Sequence, residues 1–110
     1  MVPERVRQRY MQDLLPVRLG GLAADLARVA SFAENPKNHH VVAGLLEEST
    51  HFAEWAAAVA PVEVQEQLAQ VQITVAWWHL RLRKGRPEPS MPAEAQRWSE
   101  RLLQLSGLVS

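Results

Sequence analysis

Apolar residues between Val62 and Lys84 fall on two opposite sides of one predicted helix. At a helical turn of about 100° per residue, spacings of four and three gather the first set into a narrow seam. That seam consists of Val64, Leu68, Val71, Val75, Trp78 and Leu82. The second apolar face consists of Val62, Ala69, Ile73, Ala76, Trp77 and Leu80. A helix that is apolar on two sides must be covered on two sides, so we expect Val62–Lys84 either to run through the middle of its domain or to contact another protein.

The same helical spacing continues through the rest of the chain, and no alternating pattern typical of a strand is found. The predicted helices besides Val62–Lys84 run from Pro3 to a break at Pro16, from about Val17 to Ala33, from Pro36 to about Ala58, and from Met91 or Pro92 to Gly107. Proline in a first turn, Asn35 as a cap and glycine after a last turn set these bounds. We therefore predict an all-α fold: one domain, residues 1–110, in an antiparallel four- to five-helix bundle. Val62–Lys84 lies at its centre, and the last helix covers one of its sides.

Composition narrows the function classes. Twelve basic and twelve acidic residues cancel, which argues against a dedicated nucleic-acid binder and against an electrostatic membrane anchor. The absence of cysteine excludes disulfides, thiol catalysis and Cys-ligated metal sites. No stretch reaches the ~20 apolar residues of a membrane span, and no apolar run follows the charged N-terminus. We expect a cytoplasmic protein that does not bind membranes and, for lack of a catalytic constellation, is not an enzyme.

Glu47, Glu48 and His51 are the candidate metal ligands. Their spacings of three and four residues place them on one helix face, and Glu-x-x-His is the unit that carboxylate-bridged di-iron bundles use. Such a site needs carboxylates from facing helices, but Asp25 and Glu34 lie off the apolar stripe of the second helix. A solvated cluster of charges is the simpler interpretation. A symmetric dimer could supply the missing ligands, which keeps a bound divalent metal as the alternative to a protein without a cofactor.

A basic segment follows the tryptophans at the end of the long helix. It contains Arg81, Arg83, Lys84 and Arg86. Aromatic and cationic side chains together can stack bases and hold phosphates, whereas basic residues in a last turn also simply complement the helix dipole. An anionic partner protein is an equal alternative to nucleic acid.

The chain contains four tryptophans in 110 residues. Five short helices do not readily bury four such rings together with both apolar faces of the long helix. Tryptophan is costly to expose and frequent in interface hot spots. We therefore predict a homodimer whose interface includes Ile73, Trp77, Leu80 and Trp98. The sequence leaves open whether a different protein also binds this chain. The leading expectation for function is a non-enzymatic interaction or structural module that self-associates. Metal binding is the alternative, and binding of an anionic partner or nucleic acid is the third.

The segments LARVASF, NPKN and LLEES-HF-EW within Leu19–Ala57 resemble a group of small, all-helical, uncharacterised proteins of cyanobacteria. The resemblance covers about a third of the chain. It implies a helical cytoplasmic protein and transfers no functional residue.

Overall fold

Five α-helices and one short 3₁₀ helix make up the structure, a computed structural model that describes residues 2–107. The elements are α1 (Glu4–Gln12), α2 (Leu15–Phe32), the 3₁₀ helix Pro36–Asn38, α3 (His39–Ala57), α4 (Val62–Arg83) and α5 (Met91–Ser106). The prediction of an all-α helical bundle is confirmed. In the described part of the chain, no helix combines the length and apolarity that a membrane crossing requires.

Local chemistry explains where these helices begin and end. The break between α1 and α2 falls at Asp13 and Leu14, and Pro16 lies inside the first turn of α2, where its missing N–H costs no hydrogen bond. The side chain of Asn35 accepts a hydrogen bond from the backbone N–H of Lys37 at 3.0 Å. Gly85 and Gly107, with φ of 71° and 74°, adopt the left-handed conformation that ends α4 and α5.

The middle of the bundle is formed by α2 and α3, and not by α4 as the sequence pattern suggested. Helix α2 packs along both α3 and α5, and α3 packs along both α2 and α4, whereas α4 packs along α3 and barely touches α5. The expectation that Val62–Lys84 is central and that the last helix covers it is therefore wrong. The reason for the position of α2 is its wide buried arc, in which five apolar side chains are at most 1% exposed: Leu19, Leu22, Ala23, Leu26 and Val29.

The first apolar seam of α4 is buried as predicted. Leu68, Val71, Val75 and Trp78 are at most 1% exposed, and Leu82 is 7% exposed. These residues face the bundle, and Gln72 donates a side-chain hydrogen bond to the carbonyl oxygen of Thr50 on α3 at 3.5 Å. Helix α4 thus attaches to the bundle through one side only, which leaves its other side to be accounted for.

Helix α5 completes the core against α2. Met91, Ala95 and Leu102 are buried, and the hydroxyl of Ser99 donates to the carbonyl oxygen of Ala23 at 2.7 Å. A buried hydroxyl that bonds a main-chain carbonyl fixes how the two helices lie along each other.

Candidate functional site

The second apolar face of α4, which we call the outer face, is exposed. Its members are Val62, Ala69, Ile73, Ala76, Trp77 and Leu80. Ile73 is 71% exposed, Val62 64% and Trp77 51%, Ala69 and Ala76 are also exposed, and Leu80 is half-buried. No helix within residues 2–107 packs over this face. Of the two alternatives that the sequence left open, coverage of both sides by the described part of the chain is therefore excluded.

The basic end of α4 gathers around a small groove. Gly85 donates to the carbonyl oxygen of Leu82, and Arg86 donates to that of Arg81, each at 3.0 Å; this paired arrangement ends the helix and folds Arg86 back. Arg81, Lys84 and Arg86 then line a groove of about 350 Å³ together with Trp77 and Leu80. Three of the four predicted cationic residues therefore lie together, and Arg83 is not among the residues that line the groove.

Arg81 is the half-buried member of this group. Its guanidinium carbon lies 5.7 Å from the centre of the Trp77 ring, within the range of a cation–π contact. Its Nε atom is buried and has no hydrogen-bond partner within the described chain. The aromatic ring and the cation thus form one unit at the edge of the outer face.

Trp98 of α5 lies on the neighbouring side of α4. It is half-buried and lines a groove of about 340 Å³ between the two helices with Gln67, Thr74, Glu94, Arg97 and Arg101. A second groove of about 380 Å³ continues along α4 past Ile73 and Trp77 to Glu94 and Ser90. The predicted interface residue on α5 is therefore close to the outer face, across a cleft that the weak α4–α5 contact leaves open.

The structure does not bring the predicted metal ligands into one cluster. Glu48 interacts with Asp25 of α2, and the ring of His51 stacks on Trp55 with centres 5.6 Å apart. Among residues 2–107, no group of three or more His, Asp or Glu side chains is arranged to hold a metal ion. Metal binding by Glu47, Glu48 and His51 stays a prediction, without added support from the geometry of the described residues.

Asp25 is a buried acid that the sequence analysis placed off the packing side of α2. Its side chain is 2% exposed and accepts a hydrogen bond from the partly exposed Arg28 at 3.2 Å. Burial, followed by the hydrogen bond with Glu48 and the charge of Glu48, raises the pKa of Asp25 to about 8, against the opposing effect of Arg28. A protonated Asp25 can donate to the Glu48 carboxylate. Asp25 and Glu48 thus interact across the contact between α2 and α3.

Arg18 is a buried cation that the sequence analysis missed. It is 6% exposed, and its oxygen partners in the described chain are the main-chain carbonyls of Met11 at 2.7 Å, Asp13 at 2.9 Å and Trp55 at 3.0 Å. These carbonyls belong to the ends of α1 and α3. Helix C-termini carry partial negative charge and unpaired carbonyls, so one guanidinium stabilises two helix ends.

Tyr10 lies beside this arginine. Its ring stacks on Phe52 with centres 4.0 Å apart, and its hydroxyl donates to the carbonyl oxygen of Arg18 at 2.7 Å. Burial raises the pKa of the Tyr10 hydroxyl, which keeps it a donor. A β-carbon on Gly21 would lie 3.4 Å from the Tyr10 ring, so glycine at this position lets the ring pack closely against α2.

A spacing in the sequence could have revealed both buried charges. Arg18, Leu22, Asp25 and Val29 follow one another at four, three and four residues, which is one row along a helix. Both charged residues of this row interact with α3, Arg18 through the carbonyl oxygen of Trp55 and Asp25 through Glu48.

Comparison of the chain with protein-family models, with curated proteins and with solved structures finds no match.

Proposed function

We propose that this chain is a non-enzymatic interaction module that self-associates through the outer face of α4. The observation that carries the proposal is the exposure of Ile73 at 71% and Trp77 at 51% on a single helix face. Burying an aliphatic or aromatic side chain of this size contributes about 1.5–3 kcal/mol relative to full exposure. Two such residues on each of two copies supply a substantial part of the free energy of a micromolar dimer.

Among residues 2–107, no other helix carries more than two large exposed apolar residues. Leu14 and Val17 lie at the connection between α1 and α2, and Phe32 lies at the end of α2. The outer face, by contrast, follows α4 for most of its length and contains an exposed tryptophan, the residue type most enriched in interface hot spots. Continuity along one rigid helix is what favours α4 as the interface.

The charges at the two ends of the outer face favour a second copy as its occupant. Glu63 and Glu66 are exposed near the beginning of α4, whereas Arg81 and Lys84 lie at its end. A surface that carries both signs at opposite ends is complementary to itself when one copy is reversed. The chain as a whole has no net charge, so association meets no general repulsion.

Sedimentation equilibrium at ~100 μM tests this proposal, because that concentration populates a dimer with a micromolar dissociation constant. We expect the mass of a dimer for the native chain and of a monomer for Ile73→Glu, with unchanged helicity because Ile73 is exposed. Leu14→Glu is the matched control, since Leu14 is 77% exposed but lies off α4, and it should remain dimeric. A native chain that is monomeric throughout would contradict the proposal.

The cationic groove supports a second candidate function, the binding of an anionic partner. The grouping of Arg81, Lys84 and Arg86 beside Trp77 is the observation that favours it. Cationic and aromatic side chains in one groove suit carboxylate or phosphate groups.

A further inference from the structure

The outer face carries its charges in a repeating arrangement. Glu63 and Arg81 are eighteen residues apart, and so are Glu66 and Lys84. Eighteen residues equal five turns of an α-helix, or about 27 Å along its axis. Each acid therefore lies in line with a base on the same side of α4, with the apolar residues of the outer face beside them.

We propose that two copies of the chain pair through α4 in an antiparallel arrangement, with the two-fold axis at the level of Ile73 and Thr74. This inference rests on the proposed self-association and specifies its geometry. A two-fold axis perpendicular to both helices makes the two copies of α4 antiparallel. Residues on one flank of the outer face then lie opposite residues on the same flank of the other copy. Glu63 and Glu66 of the partner subunit then come within reach of Arg81 and Lys84. In a parallel pair, the acids of both copies would lie at one end and the bases at the other.

The apolar part of the outer face fits the same alignment. With the axis between residues 73 and 74, Trp77 lies at the level of the partner's Gln70, on the same flank of the outer face. On the other flank, Ala69 and Ala76 are exposed, and each lies within about 3 Å along the axis of the other alanine in the partner subunit. Small side chains at these positions let the two helices approach to about 8–10 Å.

The cationic groove receives its ligand in this arrangement. The groove is lined by the cationic side chains of Arg81, Lys84 and Arg86. A carboxylate from the partner's Glu63 or the partner's Glu66 supplies an acceptor for a charge-assisted hydrogen bond from these groups. One contact thus explains the open groove and the acidic start of α4.

Distances between spin labels test the direction of pairing. The chain contains no native cysteine, so a single introduced cysteine carries the label. For Val62→Cys, the antiparallel dimer places the two labelled positions about 35 Å apart, whereas a parallel dimer places them about 10 Å apart. For Ile73→Cys, the antiparallel dimer gives strong short-range dipolar broadening, because that position lies next to the axis.

The outcomes separate the geometry from the proposed function. A long distance at residue 62 with short-range broadening at residue 73 supports antiparallel pairing. Short distances at both positions, in a chain that sediments as a dimer, overturn the antiparallel geometry and leave self-association standing. The absence of any dipolar coupling, together with a monomer mass for the native chain, overturns both.

A charge exchange tests the pairs themselves. We expect the paired change Glu63→Lys/Glu66→Lys and the paired change Arg81→Glu/Lys84→Glu each to weaken dimerisation at least about five-fold. The exchange of all four charges should restore dimerisation, because an acid then again faces a base at both levels of the antiparallel pair. Glu54→Lys, an exposed change on α3, is the control and should leave the dissociation constant unchanged. If Glu63→Lys/Glu66→Lys behaves like Glu54→Lys and the fourfold exchange shows no recovery, these side chains do not meet and the alignment is wrong.

Discussion

Replacing Asp25 by asparagine should flatten the dependence of stability on pH. In the unfolded chain this carboxyl ionises near its ordinary pKa of 3.8, whereas burial and Glu48 raise the pKa in the folded protein to about 8. Between these values the folded state holds one proton more than the unfolded state. The free energy of unfolding therefore falls as the pH rises, by up to about 1.4 kcal/mol per pH unit.

The sign and size of the effect follow from those two values. The stabilisation from Asp25 is fully present below its unfolded pKa and is lost as the pH rises through about 8. Between about pH 5 and pH 8 the native chain should lose on the order of 3 kcal/mol from this group. An asparagine amide keeps the shape of the side chain and can donate to Glu48 at any pH in this range, so Asp25→Asn should not suffer this loss.

Urea unfolding at several pH values between about 5 and 8 measures the effect. We expect the native chain and Asp25→Asn to have similar stability at the acid end, and the variant to be the more stable at the alkaline end. Glu54→Gln, which removes an exposed carboxylate of α3, should follow the native curve. Parallel curves for the native chain and Asp25→Asn would refute the idea that Asp25 is protonated in the folded state.

Three further changes test other contacts. Arg18→Met should cost about 3–5 kcal/mol in urea unfolding, because it leaves three carbonyls at two helix ends without their donor, whereas Arg28→Met, at a side chain 60% exposed, should cost less than about 1 kcal/mol. Ser99→Ala should cost about 1 kcal/mol through the lost hydrogen bond to Ala23. Gel-shift experiments at about 50 and 200 mM salt should show no band shift with nucleic acid if the cationic groove is occupied by a second copy; a shift that disappears steeply with salt would favour the anionic-partner function instead.

The helices and the seam of α4 could be predicted from the sequence because periodicity and capping are local properties. Gly85 and Gly107 end their helices, and Val75 and Trp78 are buried, as the spacing indicates. The arrangement of the helices could not be predicted in this way. Two apolar sides on α4 suggested a central helix, yet α2 and α3 hold that position. The sequence pattern is the same whether the second apolar side of α4 is covered by another helix or left exposed.

The same limitation explains the missed charges. Arg18 and Asp25 are polar residues, so they do not count toward an apolar stripe, although they lie in one row with Leu22 and Val29. Their burial depends on carbonyls of α1 and α3 and on Glu48, which only the tertiary structure brings near. The outer face of α4 was identified from spacing alone, and Ile73 and Trp77 on it are exposed; their place in an interface stays a prediction.

The pairing of α5 with α2 has a consequence for how the chain folds. Ser99 and Ala23, whose hydrogen bond joins the two helices, are 76 residues apart in sequence. Contacts between α2 and α3, and between α3 and α4, connect neighbours along the chain and can form early. Closing the large loop costs about 4 kcal/mol in chain entropy before any of its contacts form. We therefore expect the docking of α5 to be the slow step, after α2 and α4 have packed on α3.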